Sequence, residues 1–569
     1  MMLRCIRASA RVLPLLLILV ALVAGRVASG AAQAGRPAPS RLSLGGPAPR
    51  VRTEAELKAF LDELEVQELA LSNSLSVEQY YQWKGETHHF AGPFARLLAD
   101  LQSRKDYAAV IDRWWGKVRD STLARRLDLH HRDFLLARAD PRLAVELVDL
   151  QSAVQDTLGQ FRFDVRGRRL TGTEVYALTD SGTDRSLREA AFRSRTQIAP
   201  HLRRRILHAM DLIDRIGRQQ GFANGAAAGL NQSSLEARQV MRDLDAFESA
   251  TRPAYLAILA RVKADLGVDR VEAWDIDYWL RRQELSAGTD AWPKEPGLAR
   301  LRDLMHGLGF PVDSLPIDVK VWDVPTGGIT FWVRPPYEAR LLTNPFTGSD
   351  FYETLFHEYG HALNGTLLRP DLPPAFFRGD ETPLGEGLAE TLGHFAYDRH
   401  WLVRAAGVSP EQAERLERVG KMHLLLWLRR SISLQAYTEI SLYLDRRANP
   451  DSLYAAAYRR FVGVDLPPGD FVGGRDFFAT GPLYAQSYLY ANMIATQLRD
   501  AMRRQFGVED LIGEPRVAGW LTEHFFAGGA SVPWPEKVRR ATGKSLSTDA
   551  LARYLAGAVP PGAAERSPL

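Results

Sequence analysis

Two histidines stand four positions apart in the stretch SDFYETLFHEYGHALNGTLL, Ser349 to Leu368, with a glutamate directly after the first. The chain has 13 histidines in 569 residues, so this pairing calls for a chemical reading. On a helix, positions four apart differ by about 40° of rotation, and His357 and His361 then project from one face with their imidazoles one turn apart. Two ligands of one tetrahedral zinc ion need that spacing. Glu358 falls beside this face, where it can act as general base on a polarised water without being a ligand. Paired histidines on a helix also occur as satisfied polar groups beside a core, so a third ligand decides between the readings.

The elements that must position these groups can be read from the flanking residues. Asp350 is a candidate N-cap with Glu353 three residues on, and Gly365 after Asn364 is a stop signal, framing a helix of about fifteen residues. Gly360 costs such a helix about 1 kcal/mol relative to alanine, which implies that something packs closely there. The position six after His361, where a third histidine would complete one zinc arrangement, holds Leu367. Among downstream carboxylates Glu386 stands out in DETPLGEGLAETLGHFAYD, because Thr382 and Pro383 have the character of an N-cap and a first helical residue. The loop RPDLPPAFFRG lies between and can reverse the chain to bring this second helix alongside the first. Glu390 lies one turn beyond Glu386 and can accept the N–H of a ligand histidine, fixing its tautomer. Glutamates four apart also form ordinary solvated stripes, but Ala389 and Gly393 on this face indicate close helix packing.

Most of the chain is helical in pattern. TEAELKAFLDELEVQELALSNSL, DPRLAVELVDLQSAVQDTLGQF and SLREAAFRSRTQIAPHLRRRILHAMDLIDRIGRQQ each space apolar residues by three and four. The exception is Ile317 to Leu342, where Val, Ile, Trp and Phe flank Gly327 and Gly328 as in a small hairpin or sheet. The first 34 residues read as a cleavable signal peptide: Arg4, Arg7 and Arg11, an apolar run from Leu13 to Gly25, and Ala32-Gln33-Ala34 before Gly35. An uncleaved anchor is the other reading, although the run is short of the roughly 20 residues a spanning helix needs. Losing this segment removes four arginines and no acid, which leaves 68 of the 72 basic residues against 68 acidic ones. A neutral mature chain offers no general attraction for nucleic acid or an acidic membrane surface. The single cysteine, Cys5, leaves as well, so the mature chain has no disulfide and no thiolate. Residues 35–50 read as a flexible Pro/Gly/Ser linker, 51–557 as one catalytic domain, and 558–569 as a disordered tail.

On HEYGHAL, on Glu386, and on an acidic residue four beyond it, the chain resembles the all-helical zinc peptidases that include angiotensin-converting enzyme and the thimet oligopeptidase/oligoendopeptidase group. Weaker echoes in TEAELKAFLDELE, GRQQGFANGAAAGL and AWDIDYW extend the resemblance over most of the mature chain. It implies a mostly α ellipsoid of two lobes around a deep substrate channel, one Zn2+ per chain on the channel floor, and a small sheet near the active site. The edge strand around Gly328, Ile329, Thr330 and Phe331 would pair with substrate backbone. A late-helix tyrosine would donate to the oxyanion: alignment of the tyrosine run in RDFFATGPLYAQSYLYANMIATQ places Tyr490 in that role, with Tyr484 and Tyr488 as alternatives if the register slips. The chain departs from the pattern in three ways. Phe478 or a neighbour stands near the place of an oxyanion histidine, no lysine is there to hold a substrate carboxylate, and Leu489 replaces a chloride-binding arginine.

The sequence therefore reads as a secreted or periplasmic zinc peptidase acting on oligopeptides, with no nucleic-acid partner and no stable membrane insertion once the signal is removed. Its oligomeric state is open. Two other readings stay open: a non-catalytic zinc-containing peptide-binding domain on the same scaffold, and a dipeptidyl carboxypeptidase in place of an oligoendopeptidase.

Overall fold

The first long periodic run becomes helix α1 (Glu54–Trp83) because Thr53 and Glu56 cap each other: the Thr53 hydroxyl accepts the Glu56 N–H at 3.2 Å and the Glu56 carboxylate accepts the Thr53 N–H at 3.1 Å. The computed structural model describes residues 46–560 except 87, 289–290, 325–326 and 380. The expected signal peptide, residues 35–45 of the expected linker and residues 561–569 of the expected tail lie outside the described residues. Residues 46–50 of that linker are tied down, since the Ala48 N–H donates to Asp106 at 2.9 Å and Arg104 donates to the Gly46 carbonyl at 2.7 Å. The tail likewise starts later than expected, because Ala558 and Val559 are buried against the core.

Helices α2 (Ala91–Gln102), α3 (Lys105–Trp114) and α4 (Ser121–Asp133) pack with α1 around their own apolar cluster, which includes Leu57, Phe60, Leu61, Ile111 and Leu127. A larger cluster runs from Leu143 on helix α5 (Pro141–Gln160) to Val559. A charged seam joins the first of these to a third, smaller cluster around Leu129, Leu372, Ala375 and Phe376. Glu65 of α1 accepts from Arg126 at 2.7 Å, lies 3.1 Å from His130 Nε2, and takes the Ala375 N–H at 3.2 Å. Buried ions are tolerated when every partner stays in place, and removing one leaves the rest uncompensated. Glu65→Ala is expected to lower unfolding free energy by about 3–5 kcal/mol, read from urea titration. An unchanged midpoint would show that the seam does not hold these parts together.

The third periodic run is interrupted: helix Arg185–Ser194 gives way to a 3-10 turn at Arg195–Ile198 before α6 (Ala199–Gln219) begins. Pro200, which lacks an N–H, is accommodated in the first turn of α6. A short α7 (Gly225–Asn231) and a long α8 (Ala237–Leu266) follow. Two small sheets complete the mostly α architecture. One is a hairpin, β1 (Phe163–Val165) with β2 (Arg168–Leu170), turning at Arg166 and Gly167, both with positive φ. The other contains β3 (Ile317–Val321), β4 (Gly328–Arg334) and β5 (Glu338–Thr343) in the order β3-β5-β4, with β5 parallel to β3 and antiparallel to β4. Strand β4 is therefore at an edge.

The motif helix α9 (Ser349–Thr366) starts one residue before Asp350, with Gly348 at the N-cap in a positive-φ conformation. It also continues through the expected stop at Asn364-Gly365. Gly365 is there for space: a Cβ on it would stand 2.7 Å from the Trp332 indole. The next helix of the site, α10 (Thr382–Gly393), has Glu381 as N-cap, so Thr382 and Pro383 both sit one position further in than expected. The helices α11 (Leu434–Leu444) and α12 (Ala485–Phe506) bring in the remaining residues discussed below. Among the described residues, no helix is long and apolar enough to cross a membrane.

Candidate metal centre

Helix α10 lies against α9 at the closeness that Gly360 foreshadowed. A Cβ on Gly360 would stand 2.8 Å from Ala389 Cα, and one on Gly393 would stand 3.4 Å from His357 Cβ. On its other side α10 meets α12, where a Cβ on Gly387 would stand 2.8 Å from Ile494 Cβ. Small residues thus let three helices approach until Glu386 reaches the histidine pair. His357 Nε2 and His361 Nε2 are 3.2 Å apart, and Glu386 Oε2 is 3.4 Å from the first and 3.9 Å from the second. Ligand bonds near 2.0–2.1 Å at tetrahedral angles put donor atoms about 3.3 Å apart, so the three atoms fit a zinc ion. Their chemistry fits too, two imidazoles and a carboxylate being a common catalytic zinc set.

Glu358 is held beside these ligands by β4. The Thr330 hydroxyl lies 2.8 Å from both Glu358 Oε2 and the Glu358 carbonyl. Gly328 leaves room for Glu358, since a Cβ there would stand 2.6 Å from Glu358 Cγ. Trp332 donates its indole N–H to the His361 carbonyl at 2.9 Å. Residues 328, 330 and 332 share one face of the strand and all meet α9, while Ile329, Phe331 and Val333 bury against Tyr80 and Leu342 on the other. The sequence alone assigns Thr330 to the backbone of a substrate-pairing strand; the alternation of small, polar and aromatic residues along GITFW is the signal for its side-chain role.

Buried acids dominate the electrostatics of the site. Burial works against a charged imidazole at His357, but the contact with Glu386 and the charges of Glu390, Glu386 and Glu358 outweigh it and hold its pKa up at about 10. Burial and the charge of His357 push His361 down to about 4. At Glu386, burial is outweighed by the two histidines and its pKa falls to about 2. Burial lifts Glu358 and Glu390 to about 7, and burial together with Glu390 and Asp350 lifts Glu353 to about 8. A proton on His357 thus takes the place of metal charge among four carboxyl groups. Zinc uptake at pH 7 is expected to release at least one proton per ion, so that apparent affinity rises about tenfold per pH unit while His357 is protonated. Calorimetry in buffers of different ionisation enthalpy measures this, and binding without proton release would contradict the assignment.

A cavity of about 910 Å³ contains the centre, lined by residues from α1, α2, α5, α6 and α7 as well as from β4, α9 and α10. His357, Glu358, His361, Glu386 and the strand residues Gly328, Ile329, Thr330 and Phe331 all line it. Glu390 stands behind, with Oε1 3.8 Å from His357 Nδ1 and Oε2 3.5 Å from His394 Nε2. The tyrosines divide differently from the expected register. Tyr490 points away, its hydroxyl donating to Asp243 and its ring set edge-on to Trp534. Tyr484 is the tyrosine at the cavity wall, and its hydroxyl donates to Glu386 Oε1 at 2.9 Å. Helix α12 starts directly after Tyr484, and six positions at 100° each put Tyr490 about 240° around the axis. Tyr488 packs edge-on to both Tyr484 and Trp427. Phe478 is fully buried in the apolar core.

No family model matches the chain. A stretch of 160 residues is 32% identical to the mitochondrial intermediate peptidase of Phaeosphaeria nodorum, covering 26% of this chain and 20% of that relative's length. Among solved structures, a Pyrococcus furiosus carboxypeptidase aligns with a TM-score of 0.62 at 13% identity, over 89% of this chain and 99% of that one. An M32 carboxypeptidase from Deinococcus radiodurans gives 0.59 at 17% identity, over 88% and 98%. Metallocarboxypeptidase 1 of Trypanosoma cruzi gives 0.61 at 14%, over 88% and 99%. At these identities the likeness is one of fold, and the chain shares the mostly α fold of these carboxypeptidases.

Proposed function

We propose that the chain is an exported zinc peptidase that hydrolyses short peptides. The observation that carries the reading is the convergence of His357, His361 and Glu386 to within 3.2–3.9 Å of one another, beside Glu358, in a cavity edged by a β-strand. The names of the relatives, a peptidase and several carboxypeptidases, support the same chemistry. A zinc ion held by the three ligands supplies Lewis acidity, polarising a scissile carbonyl and acidifying water.

The chain's own groups do the rest. Thr330 holds Glu358 in place to take a proton from the attacking water and hand it to the leaving amine. Tyr484 carries a protonated hydroxyl at the cavity wall, because burial and the charge of Glu386 raise its pKa well above the usual range, and its one proton turns from Glu386 Oε1 to the oxyanion as that charge develops. The outer edge of β4 offers backbone groups for a peptide to pair with. The basic, apolar and small-residue pattern of residues 1–34 supports a secreted or periplasmic location, which N-terminal sequencing of the mature protein tests.

Mass spectrometry of an unbiased peptide library tests the activity. Cleavage should require zinc, stop with a chelator and return on adding the metal. Single residues released from the C-terminus would assign a carboxypeptidase, paired residues a dipeptidyl carboxypeptidase, and internal cuts an oligoendopeptidase. A zinc-replete protein that retains peptides and cuts none would overturn the hydrolytic reading in favour of a peptide-binding domain.

A further inference from the structure

Leu483, at the cavity wall directly before Tyr484, has φ of +54°. A residue with a β-carbon adopts this left-handed conformation at a cost and keeps it only where the surroundings fix it. Both of its peptide groups are held. Its N–H donates to Glu439 Oε1 at 2.9 Å, and its carbonyl accepts from the Gln486 side-chain amide. Its side chain fills the space left by Gly229 on α7, where a Cβ would stand 2.5 Å from Leu483 Cδ1.

Glu439, on α11, is the unusual partner. It is fully buried, its second oxygen has no hydrogen-bond partner among the described residues, and burial raises its pKa well above the usual range. Placing a carboxyl in an apolar interior for one hydrogen bond is expensive, and a hydrophobic residue of similar size would serve the core better. What the carboxyl does supply is an acceptor for a peptide N–H that no helix or strand satisfies.

We propose that Glu439 is a positioning residue, a buried acid whose bond to the Leu483 N–H fixes the turn that sets the Tyr484 hydroxyl against Glu386. The turn runs Gly481-Pro482-Leu483-Tyr484, and the backbone angles at Leu483 determine where the next side chain starts. Glu439 does not line the cavity, and its route to Tyr484 is its hydrogen bond to Leu483. The catalytic part of the proposal rests on the peptidase reading. The placement of the hydroxyl does not, and it has a readout of its own, because the Tyr484 bond orients a metal ligand.

The experiment compares Glu439→Leu, Glu439→Gln, Tyr484→Phe and the double variant Glu439→Leu/Tyr484→Phe, each zinc-loaded, with circular dichroism as a fold control. Zinc release to a chelator and peptide kcat and KM are measured for all four. Losing an outer partner of a ligand weakens metal holding by about 10- to 100-fold. Tyr484→Phe and Glu439→Leu should both release zinc at least tenfold faster, and the double variant no faster than either. On a cleaved peptide, Glu439→Leu should lower kcat about 100-fold with KM nearly unchanged, as for a misplaced group. Glu439→Gln keeps a carbonyl acceptor and should stay within about threefold of the parent in every measurement, consistent with a neutral acid. Additive losses in the double variant, or unchanged zinc release and kcat in a folded Glu439→Leu protein, would overturn the proposal. So would a loss in Glu439→Gln of tenfold or more, a result that stands even where Glu439→Leu does not fold. If the parent cleaves no peptide, the peptidase reading fails while the zinc-release comparison still decides the role of Glu439.

Discussion

Glu358→Gln is expected to lower kcat by about 10²- to 10⁴-fold while the protein keeps one zinc per chain and its KM. Glutamine has the same shape and can still accept the Thr330 hydroxyl bond that holds Glu358 Oε2 at 2.8 Å, so geometry is preserved. What is lost is the ability to take a proton. The proposed ligands His357, His361 and Glu386 are untouched, and metal analysis of the purified variant separates a lost base from a lost ion. Glu358 must be ionised to act, so activity rises as pH climbs through its pKa. Burial sets that pKa at about 7 without a metal, and a dication next to it favours the carboxylate, so the acid limb of the profile should fall below pH 7. Near-parental kcat in this variant would rule out water activation by Glu358.

Tyr484→Phe should reduce kcat by about 100- to 1000-fold, or roughly 2.7–4 kcal/mol, the cost of removing one oxyanion donor. The control is Tyr490→Phe. The Tyr490 hydroxyl bonds Asp243, outside the cavity lining, so its loss should leave kcat within about threefold and instead lower stability by about 1.5–3 kcal/mol, as for a hydrogen bond to a charged group. Peptide kinetics and urea midpoints on the same pair of variants separate the two effects. If Tyr490→Phe is the inactive protein and Tyr484→Phe is not, the cavity wall does not supply the donor.

The contrast between the two tyrosines shows what the sequence carries and what it does not. His357, Glu358 and His361 are set by the period of a single helix, which the five residues HEYGH suffice to reveal. Glu386 was legible because Pro383 marks a helix start and because Gly360, Ala389 and Gly393 are small where two helices must touch. The tyrosine register depends on where α12 begins, and that start is fixed by a left-handed leucine held by a glutamate 44 positions away in the chain. No local propensity foresees a leucine in that conformation. The Thr330 contact was missed for a related reason, since a strand's pattern reveals which residues share a face but not which helix they meet. The β1/β2 hairpin, with three residues in each strand, is too short for periodicity to detect. Glu65, Arg126 and His130 become a buried network only by assembly across two helices, which no local pattern shows.

The glycines that let α9, α10 and α12 approach also set the tolerance of the metal centre. The distance of Glu386 from His357 is set first by how near α10 stands to α9. One methyl group at Gly360 would meet the Ala389 backbone, and one at Gly387 would meet Ile494, either of which moves the helix and not just a side chain. The separation of the three candidate ligand atoms is therefore a gauge of helix spacing, set by glycine contacts that lie outside the triad itself.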